Sequence, residues 1–257
     1  MDKALKTTTF LRSLFRKMEG LILEKLILIR HGQSLWNLEN RFTGWVDVDL
    51  SENGILEAQE AAHILKKNKI DLDLIYTSVL KRSIRTASLI QDQLNETDLP
   101  LKKSWQLNER HYGSLQGKNK KETADIHGEE QVKIWRRSFN TRPPQLEEKD
   151  VVIPKNWGED VPKVLGESLQ DTCERVIPFW KNEILNEVKN NKKVLISAHG
   201  NSLRALMKHL YSISDEAILE LEIPTGKPIL CTLDSEGKGE SYDYLTITIA
   251  LFQRLNT

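Results

Sequence analysis

The sequence has no excess of charge of either sign, since its 257 residues carry 37 Lys and Arg against 37 Asp and Glu. Proteins bind nucleic acid largely by neutralising phosphates with Lys and Arg, so the whole-chain charge gives no reason to expect such a partner. A local cationic site is still compatible with this balance, because net charge sums over the entire surface.

The sequence is also poor in cysteine and in long apolar runs. Cys173 and Cys231 lie far apart, and neither has a Cys or His at metal-ligand spacing, which favours a reducing compartment and no metal. The most apolar run, 21–29, is interrupted by Glu24 and Lys25 and is too short to cross a bilayer. With 39% hydrophobic and 29% charged residues the composition is globular. We expect a soluble, cytoplasmic protein with no membrane partner.

The first twenty residues differ from the rest of the chain. Apolar residues recur there at helical spacing with basic residues between them, as in a short amphipathic helix. An organellar targeting peptide is one interpretation, but Asp2 and Glu19 are unusual in such peptides and favour a plain extension or a true start at Met18. We predict a poorly ordered extension over residues 1–24 and a single domain over 25–257.

Apolar strand-like runs alternate with helical periodicity through this domain. Strands are predicted at 26–29, 72–76, 194–196, 229–233 and about 244–251. Helices are predicted at 51–67, 79–94, 167–189 with a kink at Pro178, and 201–211. The connections are long enough for crossover helices. We therefore predict an α/β fold of three layers, with a mostly parallel central sheet and helices on both faces.

The middle of the chain is locally unbalanced in charge. Residues 101–142 contain ten Lys and Arg but five Asp and Glu, whereas residues 143–170 contain three Lys and six acids. Prolines and a glycine in the second stretch predict a long loop. Because long loops in compact domains usually cover or bind something, we predict a lid-type loop over 140–166.

One pattern occurs twice. An apolar strand is followed by His-Gly, a polar residue and Ser, first around His31 and again around His199. In open α/β sheets ligands bind beyond the carboxyl ends of the strands, so these two imidazoles are expected to meet in one crevice.

Two imidazoles beside Arg30 suit phosphoryl chemistry better than metal binding. A His nucleophile can attack phosphorus in line, and Arg binds phosphoryl oxygens in a bidentate manner. The other four histidines supply no third metal ligand at a diagnostic spacing.

Longer runs then identify a family. They are 28–37 (LIRHGQSLWN), 40–45 (NRFTGW), 47–52 (DVDLSE), 76–82 (YTSVLKR), 107–113 (LNERHYG), 135–137 (WRR), 198–204 (AHGNSLR) and 223–226 (IPTG). Together these runs, spread over about 25–233, resemble the cofactor-dependent phosphoglycerate mutases of the histidine phosphatase superfamily. Arg-His-Gly alone would indicate only the superfamily.

The resemblance implies a reaction, a cofactor and a set of site residues. It implies interconversion of 3-phosphoglycerate and 2-phosphoglycerate in glycolysis and gluconeogenesis, primed by 2,3-bisphosphoglycerate and without metal, in a homodimer or homotetramer. His31 would accept the phosphoryl group, Arg30, Arg82 and His199 would hold it, and Glu109 would be the general acid and base. The implied substrate-binding residues are Asn37, Thr43, Gly44, Tyr112, Lys120, Arg136, Arg137, Gly200 and Asn201.

Some features qualify this resemblance. Ser34 favours a mutase over a bisphosphoglycerate mutase, where Gly is usual. The loop before Gly166 is shorter than in the family, and the C-terminal end lacks the family's polar tail, so we predict bisphosphatase side activity. Two other functions remain open: a broad-specificity phosphatase, which would not need Lys120, Arg136 and Arg137 together, and an inactive phosphometabolite-binding protein.

Overall fold

The computed structural model describes residues 22–247, and their side chains from residue 26 onward. The strands are β1 Ile22–Arg30, β2 Leu74–Thr77, β3 Leu101–Lys103, β4 Val194–Ala198, β5 Ile229–Asp234 and β6 Gly239–Tyr244. They form one sheet in the order β3-β2-β4-β1-β5-β6. The first four strands in this order are parallel, whereas β5 runs antiparallel to β1 and β6 antiparallel to β5. The parallel block therefore carries an antiparallel hairpin at one edge.

Helices cover both faces of this sheet. They are α1 Leu35–Leu38, α2 Glu52–Lys67, α3 Lys81–Leu94, α4 Lys120–His127, α5 Glu129–Arg137, α6 Leu169–Phe179, α7 Leu185–Lys189, α8 Gly200–Tyr211 and α9 Ala217–Glu220. Alternate β1 residues face opposite sides: Leu26 and Leu28 pack with α6 and α8, and Ile27 and Ile29 pack with α2 and α3. This arrangement confirms the predicted three layers.

The two central strands end at the same level. Arg30, the last residue of β1, pairs with Ala198, the last residue of β4. The backbone N–H of His31 donates to the Ala198 carbonyl at 2.9 Å. The residues after both strands consequently leave the sheet at one edge.

Two short helices between β3 and α6 were not predicted from the sequence. Asn119 caps α4 by accepting from the backbone N–H groups of Lys121 and Glu122, and Gly128, at φ +87°, joins α4 to α5. Val132 of α5 packs with Phe42 and Leu115 in a small separate core. The helical period was hard to recognise because α4 and α5 bury only one face against this small core.

Residues 140–166 contain only two short 3₁₀ turns, Glu148–Asp150 and Lys155–Trp157, as the loop prediction requires. Trp157 and Val161 are buried in a cluster that includes Trp45, Val79 and Leu80. The loop thus has its own hydrophobic contact with the domain.

The predicted helix 167–189 is divided. It begins at Leu169, where Ser168 and Asp171 form a capping box, and Pro178 lies within α6. The residues that follow, Trp180–Ile184, have π-helical geometry and lead into α7. Proline has no backbone N–H, so Pro178 cannot donate the hydrogen bond that a regular α-helix requires. The wider π-helical turn that follows accommodates this missing bond.

The last strand lies earlier than predicted. The apolar run beginning near Tyr244 indicated a strand over 244–251, but β6 ends at Tyr244 and pairs with β5 across a turn. An edge strand is solvated on one side, so its polar sequence GESYDY gave a weak signal.

β1 begins at Ile22, before the predicted domain boundary. The predicted N-terminal amphipathic helix lies outside the described residues, as do residues 248–251 of the predicted last strand. Among residues 22–247, no helix has both the length and the apolar character to cross a bilayer.

Candidate active site

The two His-Gly sequences meet at the edge of the sheet. His31 follows β1 and His199 follows β4, and their ring centroids lie 4.9 Å apart. Both side chains are buried. The repeated strand-His-Gly pattern therefore brings two imidazoles into contact, as expected from the topology.

The surroundings of His31 favour a neutral imidazole. Its Nδ1 lies 2.6 Å from the Gly32 carbonyl oxygen, and because a carbonyl only accepts, Nδ1 carries the proton in this bond. The lone pair of the neutral ring is then on Nε2. Burial, and the positive charges of Arg82 and Arg30, lower the pKa of His31 well below its ordinary value. The imidazole consequently stays unprotonated at neutral pH.

His199 contacts the hydroxyl of Ser78, which follows β2. Its Nε2 lies 2.7 Å from Ser78 Oγ, whereas Nδ1 is buried with no partner among the described residues. Ser78 can donate its hydrogen to Nε2, which places the proton of the neutral ring on Nδ1. Burial lowers the pKa of His199, with Arg82 and His31 contributing. A buried N–H without a partner is suited to an anionic oxygen.

Two arginines flank these rings. Arg82 is 1% exposed and donates to the carbonyls of Val46 at 3.0 Å and Gly44 at 2.7 Å. Burial lowers the pKa of Arg82 to about 10, so it remains a cation at neutral pH. Arg30 donates from Nη1 to the Ile223 carbonyl at 3.0 Å, but its buried Nε has no partner within residues 22–247. We call Arg30, His31, Arg82 and His199 the inner end of the site.

Glu109 lies beside this inner end, on irregular backbone between two 3₁₀ turns. Its Oε1 accepts from the backbone N–H of Arg110 at 2.8 Å and of Asn201 at 3.1 Å. A Cβ built on Gly200 would lie 3.7 Å from Glu109 Oε2 and 3.7 Å from the Arg30 guanidinium carbon. The missing side chain of Gly200 therefore leaves a space bordered by a carboxylate and a cation.

These groups open into a pocket of about 180 Å³. Seven cationic side chains and two carboxylates line it. They are Arg30, Arg41, Arg82, Lys120, Arg136, Arg137 and Arg204, with Glu109 and Glu222. The hydroxyl of Thr43, also in the lining, is buried without a partner among the described residues. Such an excess of cations and free donors fits a small polyanion.

Helices α4 and α5 supply what we call the outer end of the site, Lys120, Arg136 and Arg137, all half-buried. Burial lowers the pKa of Lys120, and the nearby charges of Arg136 and Arg30 add to this effect. Arg137 donates to the Leu219 carbonyl at 3.2 Å and to the Glu222 carboxylate. Repulsion among these cations is relieved when an anion binds between them.

The structure places the sequence-predicted site residues together. All nine predicted substrate-binding residues, and Arg30, His31, Arg82 and Glu109, line the pocket, while His199 lies against His31. Their individual roles stay predictions. Arg41 and Arg204 were within the motifs but were not singled out, although both line the pocket.

Sequence reasoning missed other residues for different reasons. Glu222 precedes the Ile-Pro-Thr-Gly motif and had no signal of its own. Ser78 lies within the 76–82 motif, but its contact with His199 spans 121 positions of sequence and only the fold produces it. In the part of the chain that the structure describes, no group of three His, Cys, Asp or Glu is arranged to hold a metal ion.

Comparison with known proteins gives a consistent result. The model of the histidine phosphatase superfamily (branch 1) matches residues 26–246. A 2,3-bisphosphoglycerate-dependent phosphoglycerate mutase of Lachnoclostridium phytofermentans is 53% identical over 226 residues, covering 86% of this chain and 91% of that protein. One of Buchnera aphidicola subsp. Acyrthosiphon pisum is 52% identical over 231 residues, covering 87% of this chain and 99% of its own.

Solved structures share the fold at lower identity. A phosphoglycerate mutase from Bacillus anthracis has 20% identity and a TM-score of 0.63, covering 86% of this chain and 93% of its own. A mycobacterial glucosyl-3-phosphoglycerate phosphatase has 22% identity and a TM-score of 0.65, covering 86% of this chain and 96% of its own. These neighbours bear on the architecture alone.

Proposed function

The chain belongs to branch 1 of the histidine phosphatase superfamily, and on that premise we propose that it interconverts 3-phosphoglycerate and 2-phosphoglycerate in glycolysis and gluconeogenesis. It is an isomerase that works by phosphoryl transfer. The observation that carries the proposal is a buried, neutral His31 at the bottom of a pocket with seven cationic side chains. A phosphoglycerate has a phosphate to transfer and further negative charge to hold.

His31 is the phosphoryl carrier. In one half-reaction the substrate hydroxyl attacks phosphorus, the N–P bond to Nε2 breaks, and Glu109 takes the hydroxyl proton. In the other, Nε2 attacks the second phosphoryl group, its P–O bond breaks, and Glu109 returns the proton to the departing oxygen. The bond from Nδ1 to the Gly32 carbonyl holds the ring in place through both.

The cations of the inner end stabilise the group in transit. The transferring phosphoryl spreads charge over three equatorial oxygens and needs fixed donors rather than covalent help. Arg30 Nε and His199 Nδ1 are buried donors without a partner in the described part of the chain, and Arg82 is fixed by two carbonyls. Asn37, Gly200 and Asn201 add neutral groups around the same space.

The outer end holds the part of the substrate that does not react. Lys120, Arg136 and Arg137 bind the carboxylate and the non-reacting phosphate, together with Thr43, Gly44 and Tyr112. Because the substrate must turn between the half-reactions, cations are required at both ends of the pocket.

The pocket suits 2,3-bisphosphoglycerate as the priming cofactor. Seven buried side-chain donors lack partners among residues 22–247, and three of them, Arg30 Nε, Thr43 Oγ1 and His199 Nδ1, belong to residues at the pocket or against it. When bound, this molecule supplies the phosphoryl group that loads His31. Arg30 and Arg82 would hold its reacting phosphate, and Arg136 and Arg137 its other end.

Labelling tests the proposal directly. Incubation with 2,3-bisphosphoglycerate carrying labelled phosphate is expected to leave acid-labile label on the wild type and none on His31→Ala. Label that persists in His31→Ala would reject the assigned nucleophile. Glu109→Gln should slow both half-reactions while binding is largely kept.

A finer proposal concerns bisphosphatase side activity. None of residues 140–166 lines the pocket, and Trp157 and Val161 instead pack in the cluster that includes Trp45. A pocket that this loop does not cover admits water to the phosphorylated histidine. Phosphate release should accompany mutase turnover, and undetectable release would contradict this. The lid role of the loop stays a prediction.

Assembly and location complete the proposal. As the family resemblance implies, we propose a homodimer or homotetramer in the cytoplasm. Light scattering of the purified protein measures its molar mass, and a monomer at micromolar concentration would refute the assembly.

A further inference from the structure

A buried ion pair behind the pocket has no part in the function described so far. It joins Arg175 of α6 to Glu167, two residues before the helix, with Nε to Oε1 at 2.7 Å and Nη2 to Oε2 at 2.9 Å. Their side chains are only 7% and 6% exposed. This bidentate geometry fixes the guanidinium in one orientation.

The other N–H groups of Arg175 all donate to the segment that carries Glu109. Nη1 donates to the carbonyls of Gln106 at 2.7 Å and Asn108 at 2.9 Å, and Nη2 donates to the carbonyl of Glu109 itself at 3.0 Å. One side chain thereby bonds three carbonyls within four residues. The indole N–H of Trp45 donates to the same Glu109 carbonyl at 2.6 Å.

Glu167 holds the other side of this segment. Its Oε2 accepts from the backbone N–H of His111 at 2.8 Å, and its own backbone N–H donates to the His111 carbonyl at 2.8 Å. The ion pair is therefore bonded to the backbone on both sides of Glu109, at Asn108 before it and at His111 after it. Residues 106–111 belong to no strand, and the bonds to the ion pair support the path of their backbone on both sides of Glu109.

Stability alone does not account for such a pair. Removing two charges from water costs free energy, and well-packed apolar residues can replace many buried pairs without loss. A fixed carboxylate position, in contrast, needs many directed bonds, since a misplacement of about 1 Å can cost on the order of 100-fold in rate. The two bonds to Glu109 Oε1 orient the carboxylate but do not fix its backbone.

We propose that Glu167 and Arg175 are positioning residues that hold Glu109 at the reacting end of the pocket. This inference rests on the proposed role of Glu109 as acid and base. Lysine at position 175 would keep the charge but has a single nitrogen, so it cannot bond three carbonyls and both Glu167 oxygens at once.

The first measurement is kinetic. Arg175→Lys and Glu167→Gln are each expected to lower kcat on the order of 10- to 100-fold with KM within about threefold, because the acid and base are displaced while the binding cations stay. The matched control is Arg142→Lys. Arg142, whose side chain is 55% exposed, forms a similar bidentate pair with Asp171 of the same helix, and neither residue lines the pocket. Arg142→Lys should therefore change kcat by less than about twofold.

A double-mutant cycle separates positioning from general damage. If Arg175 acts through Glu109, Arg175→Lys should lower kcat less than about threefold in a Glu109→Gln background. An undiminished loss in that background overturns the proposal, and so does a normal kcat in the single variants when Glu109→Gln itself is slow. Orthovanadate, which mimics the transferring phosphoryl group, should bind all folded variants with unchanged affinity, and weakened binding would indicate wider disruption and also overturn it.

A crystal structure keeps the test independent of the assigned function. In Glu167→Gln, or in Arg175→Lys if it folds, the Glu109 carboxylate should move by about 1 Å or more relative to wild type. An unmoved carboxylate refutes the positioning role. If the carboxylate is displaced in these variants but Glu109→Gln turns over normally, the positioning role stands. The proposed role of Glu109 as acid and base is then rejected.

Discussion

The inner and outer ends of the pocket are built by different parts of the fold. His31 and His199 follow strands whose last residues are paired across the sheet, and Arg82 bonds two backbone carbonyls. The outer cations belong to α4 and α5, which lie outside the sheet and are half-buried. Arg137 bonds a backbone carbonyl and an exposed carboxylate.

This difference separates two tasks. Groups that stabilise a transition state must already be in place, because reorganisation during the reaction would raise the barrier. Groups that recognise the distant end of a substrate need charge and reach, and they act on binding more than on the chemical step. The inner end should therefore control kcat and the outer end KM.

The largest effect is expected from Arg82→Lys at the inner end. Lysine loses the planar donor fork and the bonds to Gly44 and Val46, so kcat should fall on the order of 10²- to 10³-fold with a smaller change in KM. Steady-state kinetics measure both. Arg85→Lys, one turn along α3 and exposed in a pair with Asp49, is the matched control and should be nearly normal. A KM effect alone in Arg82→Lys would break the division of tasks.

At the outer end, Arg136→Ala should act in the opposite sense. Loss of one charge-assisted contact is expected to raise KM on the order of 10- to 100-fold while kcat stays within about threefold. Exposed Lys133, one turn earlier on α5, provides the control when changed to Ala. If kcat falls as far as KM rises, Arg136 contributes in the transition state and belongs with the inner end.

The inner histidines also predict a pH dependence. Burial and the flanking arginines lower the pKa of His31 and His199, so in the folded protein both rings should keep neutral NMR chemical shifts from pH 8 to pH 6. The unfolded chain binds protons at these positions below about pH 6.5, which the folded chain does not. Each ring then lowers the free energy of unfolding by about 1.4 kcal/mol per pH unit as the pH falls through the window between its two pKa values. Protonation of either ring near pH 6.5 in the folded state would contradict this.

The smallest effect is expected at Glu222, which pairs with Arg137 and on our proposal competes with substrate for it. Its side chain is 68% exposed, so the ion pair is weak. Glu222→Gln should lower KM about two- to fivefold by freeing the guanidinium. Glu220→Gln, an exposed change at the end of α9, should have no effect. An increase in KM would show that Glu222 orients Arg137 for binding rather than competing.

The sequence predictions were more accurate for the central strands than for the peripheral helices and the edge strand. Continuous apolar runs predicted β1 and β4 within a few residues, because strands covered on both faces have little choice of composition. The fold class and the meeting of His31 with His199 followed from that pattern. By contrast, α4, α5 and β6 were missed or misplaced, since each buries little and has a mixed polar sequence.

Residue types and motifs in the sequence thus determined the fold class, the family and nearly all residues of the pocket. Tertiary structure alone decided which charges act together. Of the excess cations in 101–142, Lys120, Arg136 and Arg137 line the pocket, whereas Lys121 and Arg142 pair with nearby acids on the surface. It also placed Arg175 behind Glu109. Hydrophobic periodicity is a local property of the chain, but a hydrogen bond between residues 66 positions apart exists only after the helices pack.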